Sequence, residues 1–280
     1  MGEKTYPRVL SIAGSDCSGG AGIQADIKTI SACGAFAMSA VTAVVDENTV
    51  GVTGIWAVPP EFVCGQIRSC LEDIGADAIK IGMLGTPELV QAVARQLRES
   101  AAGVPIVLDP VMVAQSGDRL VGDEAAEALK GELIPMAAVI TPNLPEASAL
   151  LGRPIRRAAD LREGAAELCR RFGCAAALVK GGHLEEGEDS DDLLYASADG
   201  GRWVEYPGER IATRNNHGTG CTLSSAIAAH LALGYPLEEA VRRAKAYITG
   251  AIRSGAGYRV GKGHGPVDHF WQWREERTGQ

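Results

Sequence analysis

Short apolar runs that stop at glycine or a polar residue, each followed by a longer segment of helical spacing, recur along this chain, and few folds accommodate that alternation. The runs cover 9–13, 37–45, 78–83, 106–109, 138–141 and 176–180. The helical segments cover 23–33, 60–73, 87–99, 124–133, 145–151, 161–172, 222–233 and 237–254. Together they predict a largely parallel sheet with crossover helices, an α/β fold. Thr86 before Pro87 predicts an N-cap with proline at the first helical position, Asp160 the cap of the 161–172 helix, and Gly173 its end. Between 189 and 211 the pattern shortens to β-rich pieces at 193–196 and 203–206, as in a hairpin at a sheet edge. No Ser/Gly linker, internal repeat or low-complexity tract interrupts the chain, so residues 1–280 are expected to form one domain.

Composition narrows the partners. The formal net charge of -8 repels nucleic-acid phosphates and anionic membranes, so neither is expected as principal partner. No stretch approaches the roughly 20 apolar residues that span a bilayer. The seven cysteines are odd in number and scattered without a CxxC pair, which implies reduced thiols in a cytoplasmic chain.

Chemistry concentrates in two glycine-rich segments. In the first, Asn215, Asn216, His217, Gly218, Thr219, Gly220 and Cys221 lead into a small-residue helix. Two glycines allow close backbone approach, and the N–H groups of a helix start hold phosphate or developing negative charge. A four-residue GTGC string also occurs in ordinary turns before helices. Cys221 sits where a helix N-terminus would lower its thiol pKa, giving a thiolate able to take a proton from a substrate hydroxyl; the plainer role is a small buried hydrophobe. A cysteine nucleophile with His217 or His183 as base would be another class of enzyme, without further local support.

The second segment, Gly14 to Asp26, follows the first strand, where open parallel sheets bind their ligands. Its glycines do not fit G-x-G-x-x-G, and GxxxxGK[ST] is absent from the chain. Three more strand ends carry polar groups: Asp109 in LDPVM, Asn143 and Glu146 in TPNLPEA, and Lys180 in VKGGH. Two carboxylates and an amide suit Mg²⁺, and the lysine suits a phosphate. Each also has a structural role open to it as turn former, first-turn helix partner or solvated end. Together they are the parts of a phosphoryl-transfer centre.

The ordered set GSDCSGGAGIQAD, KIGML, LDPVM, TPNLPEA, VKGGH and NNHGTGCTLSSAIAA resembles the hydroxymethylpyrimidine and phosphomethylpyrimidine kinases of thiamine biosynthesis, within the ribokinase-like superfamily. The resemblance runs from about Val9 to the terminal GHGPVDHF. It implies an αβα sandwich without a separate lid, a homodimer, and transfer of the γ-phosphate of ATP, with Mg²⁺, to 4-amino-5-hydroxymethyl-2-methylpyrimidine and then to its monophosphate. By the same resemblance Cys221 stands where ribokinase relatives have a catalytic aspartate. Gly218, Thr219 and Gly220 match the anion hole, and Lys180 the phosphate-contacting lysine. Asp109, Asn143 and Glu146 match metal-associated positions; Asp26, Val45, Met83 and Val111 match the pyrimidine pocket beside Gly14. Glu47 stands where the family usually has glutamine. A carboxylate only accepts hydrogen bonds, so either Glu47 is protonated, or the ring is, or the substrate differs. Asn216 and Gln115 are smaller departures, where threonine and lysine are usual. A pyridoxal-type kinase and a catalytically silent binding or regulatory protein of the same fold remain as alternatives.

Overall fold

The computed structural model describes residues 5–112, 122–182 and 190–278; Gln115 and His183 lie outside the described residues. In chain order the elements are β1 (Arg8–Ala13), α1 (Gly22–Ala32), β2 (Phe36–Val41), β3 (Ala43–Asn48), β4 (Gly51–Ala57), α2 (Pro60–Asp73), β5 (Ala78–Ile81), α3 (Pro87–Ser100) and β6 (Ile106–Leu108). There follow α4 (Asp123–Ala128), β7 (Val139–Ile140), α5 (Leu144–Leu151), α6 (Ala158–Phe172), β8 (Ala176–Val179), β9 (Asp192–Ala196), β10 (Arg202–Tyr206), α7 (Thr219–Ala232), α8 (Leu237–Gly255) and α9 (Trp271–Thr278).

Eight strands form one sheet in the order β10-β9-β8-β7-β6-β5-β1-β2, parallel from β2 to β8, with β9 and β10 running antiparallel as the expected edge hairpin. Apolar runs become central strands here because both faces are covered. On one face Leu10, Ile12, Ile79 and Ile81 pack with Val90, Val93 and Leu97 of α3. On the other, Val9, Ala78, Val107 and Val139 pack with Ile227 and Ala228 of α7 and Val241 of α8. From β1 the chain steps outward to β2, then returns to β5 on the opposite side of β1. The connections therefore part beside β1, and such a switch point opens a crevice at the carboxyl ends of the strands.

Two expectations are corrected. The run 37–45 is not one strand: β2 stops at Val41, and the chain turns at buried Thr42, whose hydroxyl donates to the Met83 carbonyl at 2.7 Å. Beyond that turn β3 pairs with β4 as a separate two-stranded sheet, while the Ser15 N–H after β1 still donates to the Ala43 carbonyl at 2.8 Å. Asp160 is not the N-cap of α6; the helix starts earlier, and Asp160 accepts the Arg157 N–H at 3.1 Å from its third position. Thr86 caps α3 as expected, its hydroxyl accepting the Leu89 N–H at 3.3 Å, and Gly173 ends α6.

Candidate active site

A cavity of about 540 Å³ occupies this crevice. The helix start expected at residue 222 lies three residues earlier, so Thr219, Gly220 and Cys221 form the first turn of α7. Gly218 precedes them at φ 79°, where a side chain would be strained and would overlap the Gly20 carbonyl; this backbone contact joins the two glycine-rich segments. A Cβ on Gly220 would stand 3.3 Å from both Asp109 Oδ2 and Lys180 Nζ. Glycine thus keeps open a space bounded by helix N–H groups, an ammonium and a carboxylate, which fits a phosphate and its counter-ion.

Lys180 Nζ lies 3.1 Å from Asp109 Oδ1 and 4.0 Å from Glu146 Oε2. Burial acts to lower the Lys180 pKa, but the two carboxylates outweigh it and hold the lysine above its ordinary value. Burial pushes Glu146 up to about 7 against the pull of Lys180. Asp109 also accepts from Thr141 Oγ1 at 3.1 Å. Asn143, expected as a metal-associated residue, lines the cavity and also caps a helix. Its carboxamide oxygen caps α5 by accepting the Glu146 N–H at 2.8 Å, while Glu146 Oε2 accepts the Asn143 N–H. This reciprocal box aims Glu146 at Lys180, so Asn143 acts by positioning.

Cys221 is half-buried on the cavity wall, and its expected low pKa is corrected. Burial pushes the thiol up to about 11, with nearby Asp26 and Asp109 adding to the rise; the Lys80 charge and the Gly22 N–H oppose it.

Gly14, Val45, Glu47, Met83 and Val111 also line the cavity. Along β3 the alternation of strand side chains turns Ala43, Val45 and Glu47 inward and leaves Val44, Asp46 and Asn48 exposed. Asp26 does not line the cavity and is corrected as a ring contact. It is fully buried behind the wall, accepting from Lys80 Nζ at 2.8 and 2.9 Å, from Ser11 Oγ and from Ser225 Oγ. Lys80 itself reaches the cavity, a site residue that the motif reading passed over. Its signal is a lysine inside an apolar strand of a sheet covered on both faces, where an unpaired charge would be untenable.

Asp16 and His217 also went unassigned. His217 Nε2 lies 2.8 Å from Asp16 Oδ2 and 3.9 Å from Glu47 Oε1. Asp16 additionally accepts the N–H groups of Ser18, Gly20 and Ala21. Burial alone would raise its pKa, but His217, Ser18 and Ala21 hold it well below the usual carboxylate range. Each stands in one of the two glycine-rich segments, but 200 positions separate the two, so their pairing has no signature along the chain.

A helix-start anion cradle, a buried lysine and carboxylates at strand ends, facing a mainly apolar ring-sized recess on a sheet of this topology, define a small-molecule kinase of the ribokinase-like fold. The phosphomethylpyrimidine kinase family profile matches residues 16–268. The chain belongs to the phosphomethylpyrimidine kinase family. It is 50% identical over 266 residues to the hydroxymethylpyrimidine/phosphomethylpyrimidine kinase of Rhizobium meliloti, a match covering 94% of this chain and 97% of that one. The phosphomethylpyrimidine kinase structure from Clostridium difficile matches with 41% identity and a TM-score of 0.77, over 88% of this chain and 99% of its own. An ADP complex of Bacillus subtilis pyridoxal kinase matches with 35% identity and a TM-score of 0.87, over 96% and 99%.

Proposed function

We propose that this chain transfers the γ-phosphate of ATP to the hydroxymethyl oxygen of 4-amino-5-hydroxymethyl-2-methylpyrimidine, and then a second phosphate to the monophosphate, in thiamine biosynthesis. The observation that carries this reading is one cavity lined both by the anion cradle and by the apolar Gly14, Val45, Met83 and Val111. The first turn of α7 and Lys180 hold the transferring phosphate and the charge that develops on it. Asp109 and Glu146 would hold Mg²⁺, which supplies further charge neutralisation when bound; Asn143 keeps Glu146 in place. Cys221, in its thiolate form, takes the hydroxyl proton as the oxygen bonds to phosphorus.

Purified protein with ATP, Mg²⁺ and the pyrimidine is expected to yield the monophosphate and then the diphosphate, resolved by chromatography. No monophosphate sinks the reading, and a halt at the monophosphate removes the second step alone. The likeness to a pyridoxal kinase favours one alternative, a hydroxymethyl pyridine as acceptor. A kcat/KM higher for pyridoxal than for the pyrimidine would decide for it.

Among the described residues no helix is long and apolar enough to cross a membrane; a cytoplasmic location accords with the cysteine usage. A homodimer accords with the exposed apolar Phe36 of β2, Ile55 and Trp56 of β4 and Phe62 of α2. Light scattering is expected to give twice the chain mass, and a monomer mass at micromolar concentration would exclude it.

A further inference from the structure

Lys180 is a long, flexible side chain one residue past the end of β8, and its use at the phosphate depends on where its backbone aims it. Both peptide groups that flank its Cα are held. The Lys180 N–H donates to the Pro142 carbonyl at 2.9 Å, which extends the parallel pairing by a single bridge to Asn143. On the other side, the Gly181 N–H belongs to the same peptide group as the Lys180 carbonyl, and it donates to Asp192 Oδ1 at 2.9 Å. The antiparallel ladder of β8 and β9 ends where Val179 stands opposite Leu193. The Asp192 side chain therefore takes over at the point where backbone pairing stops. A Cβ on Gly181 would overlap the Asp191 carbonyl oxygen, so glycine is what lets the two segments close to this distance.

Asp192 is a carboxylate only 4% exposed, and such a group needs a partner. Its second oxygen, Oδ2, accepts from Lys245 Nζ of α8 at 2.7 Å, and the same ammonium donates to the Ser190 carbonyl at 2.7 Å. Burial raises the Asp192 pKa against the pull of Lys245, so the carboxylate leans on that lysine for its charge. The ion pair ties β9 and α8 to the turn that follows β8. Both members line the cavity, and the reaction as described uses neither.

We propose that Asp192, anchored by Lys245, is a positioning residue for phosphoryl transfer: by fixing the peptide group after Lys180 it keeps the Lys180 ammonium on the transferring phosphate. This rests on the kinase reading above. No bond forms or breaks at Asp192, and its effect reaches the reaction through Lys180 alone.

The test compares Asp192→Ala with Asp192→Asn, each combined with Lys245→Met so that neither protein is left with an orphaned buried charge. The two proteins differ in that the carboxamide oxygen of the second still accepts the Gly181 N–H. At saturating ATP, Asp192→Ala/Lys245→Met is expected to phosphorylate the pyrimidine roughly tenfold to a hundredfold more slowly than Asp192→Asn/Lys245→Met, as for an ångström-scale misplacement of a reacting group. When Lys180→Ala is added to both, that gap is expected to shrink below about twofold, because no ammonium remains to be aimed. Melting temperature and ADP binding confirm that each protein is folded. Equal kcat for the two folded proteins with Lys180 present, or a gap that persists without Lys180, overturns the inference and leaves the kinase reading intact. Wild type that makes no pyrimidine monophosphate removes both.

Discussion

Replacing Cys221 with alanine is expected to lower kcat about 10²- to 10⁴-fold, the range for loss of a positioned general base, with the substrate KM nearly unchanged. Cys221 stands in the first turn of α7 beside the space that Gly220 keeps open between Asp109 and Lys180. The variant removes the proton acceptor while the backbone N–H groups stay in place. With the thiol pushed up to about 11, roughly one molecule in several thousand carries the thiolate at pH 7.5. The Cys221 contribution to kcat/KM therefore rises with pH, by about tenfold per unit below the thiol pKa. Cys221→Asp, whose carboxylate is already ionised at neutral pH, should lose that slope while keeping part of the rate. An unchanged rate in Cys221→Ala, measured with saturating ATP, would remove the cysteine from the proton transfer.

The second large effect concerns stability. Lys80→Met is expected to destabilise the fold by about 3–5 kcal/mol, because it leaves Asp26 as an uncompensated buried charge. Both side chains are fully buried, and Ser11 and Ser225 supply hydrogen bonds to Asp26 but no charge. Burial acts to lower the Lys80 pKa, but Asp26 and the more distant Cys221 and Asp109 outweigh it and hold the ammonium above the ordinary lysine value. A raised folded-state pKa means that the lysine's contribution is present from neutral pH up to about pH 10 and is lost in stronger alkali. Urea unfolding at neutral pH gives the size of the loss. The double variant Lys80→Met with Asp26→Leu should recover most of it, since replacing both partners removes the orphaned charge. A single variant as stable as wild type would show that Asp26 finds another partner or protonates without cost.

How far the residues alone reached differs between fold and site. The parallel order was legible because each strand run is apolar where both faces are covered, and each helix repeats at its own spacing. Strand ends such as Asp109 and Lys180 were legible for the same reason: in such a sheet the residue after the strand faces the crevice. Period two along β3 could not reveal that the strand breaks from β2 at Thr42, because Thr42 is held there by the Met83 carbonyl, a partner remote in sequence. The Asp160 cap was misplaced by three residues, since an acidic side chain serves equally at the cap or at the third helical position.

The chain's own pattern determined the α/β class, the two glycine-rich segments and the phosphate end of the site, because strand period, helix period and turn residues act over a few positions. Tertiary structure decided the charges. Asp26 left the pocket for Lys80, Asn143 capped α5 and so fixed Glu146, the Cys221 thiol rose instead of falling, and His217 met Asp16 and Glu47. Ionisation depends on burial and on partners brought within a few ångströms by the fold, and neither quantity is carried by neighbours along the chain.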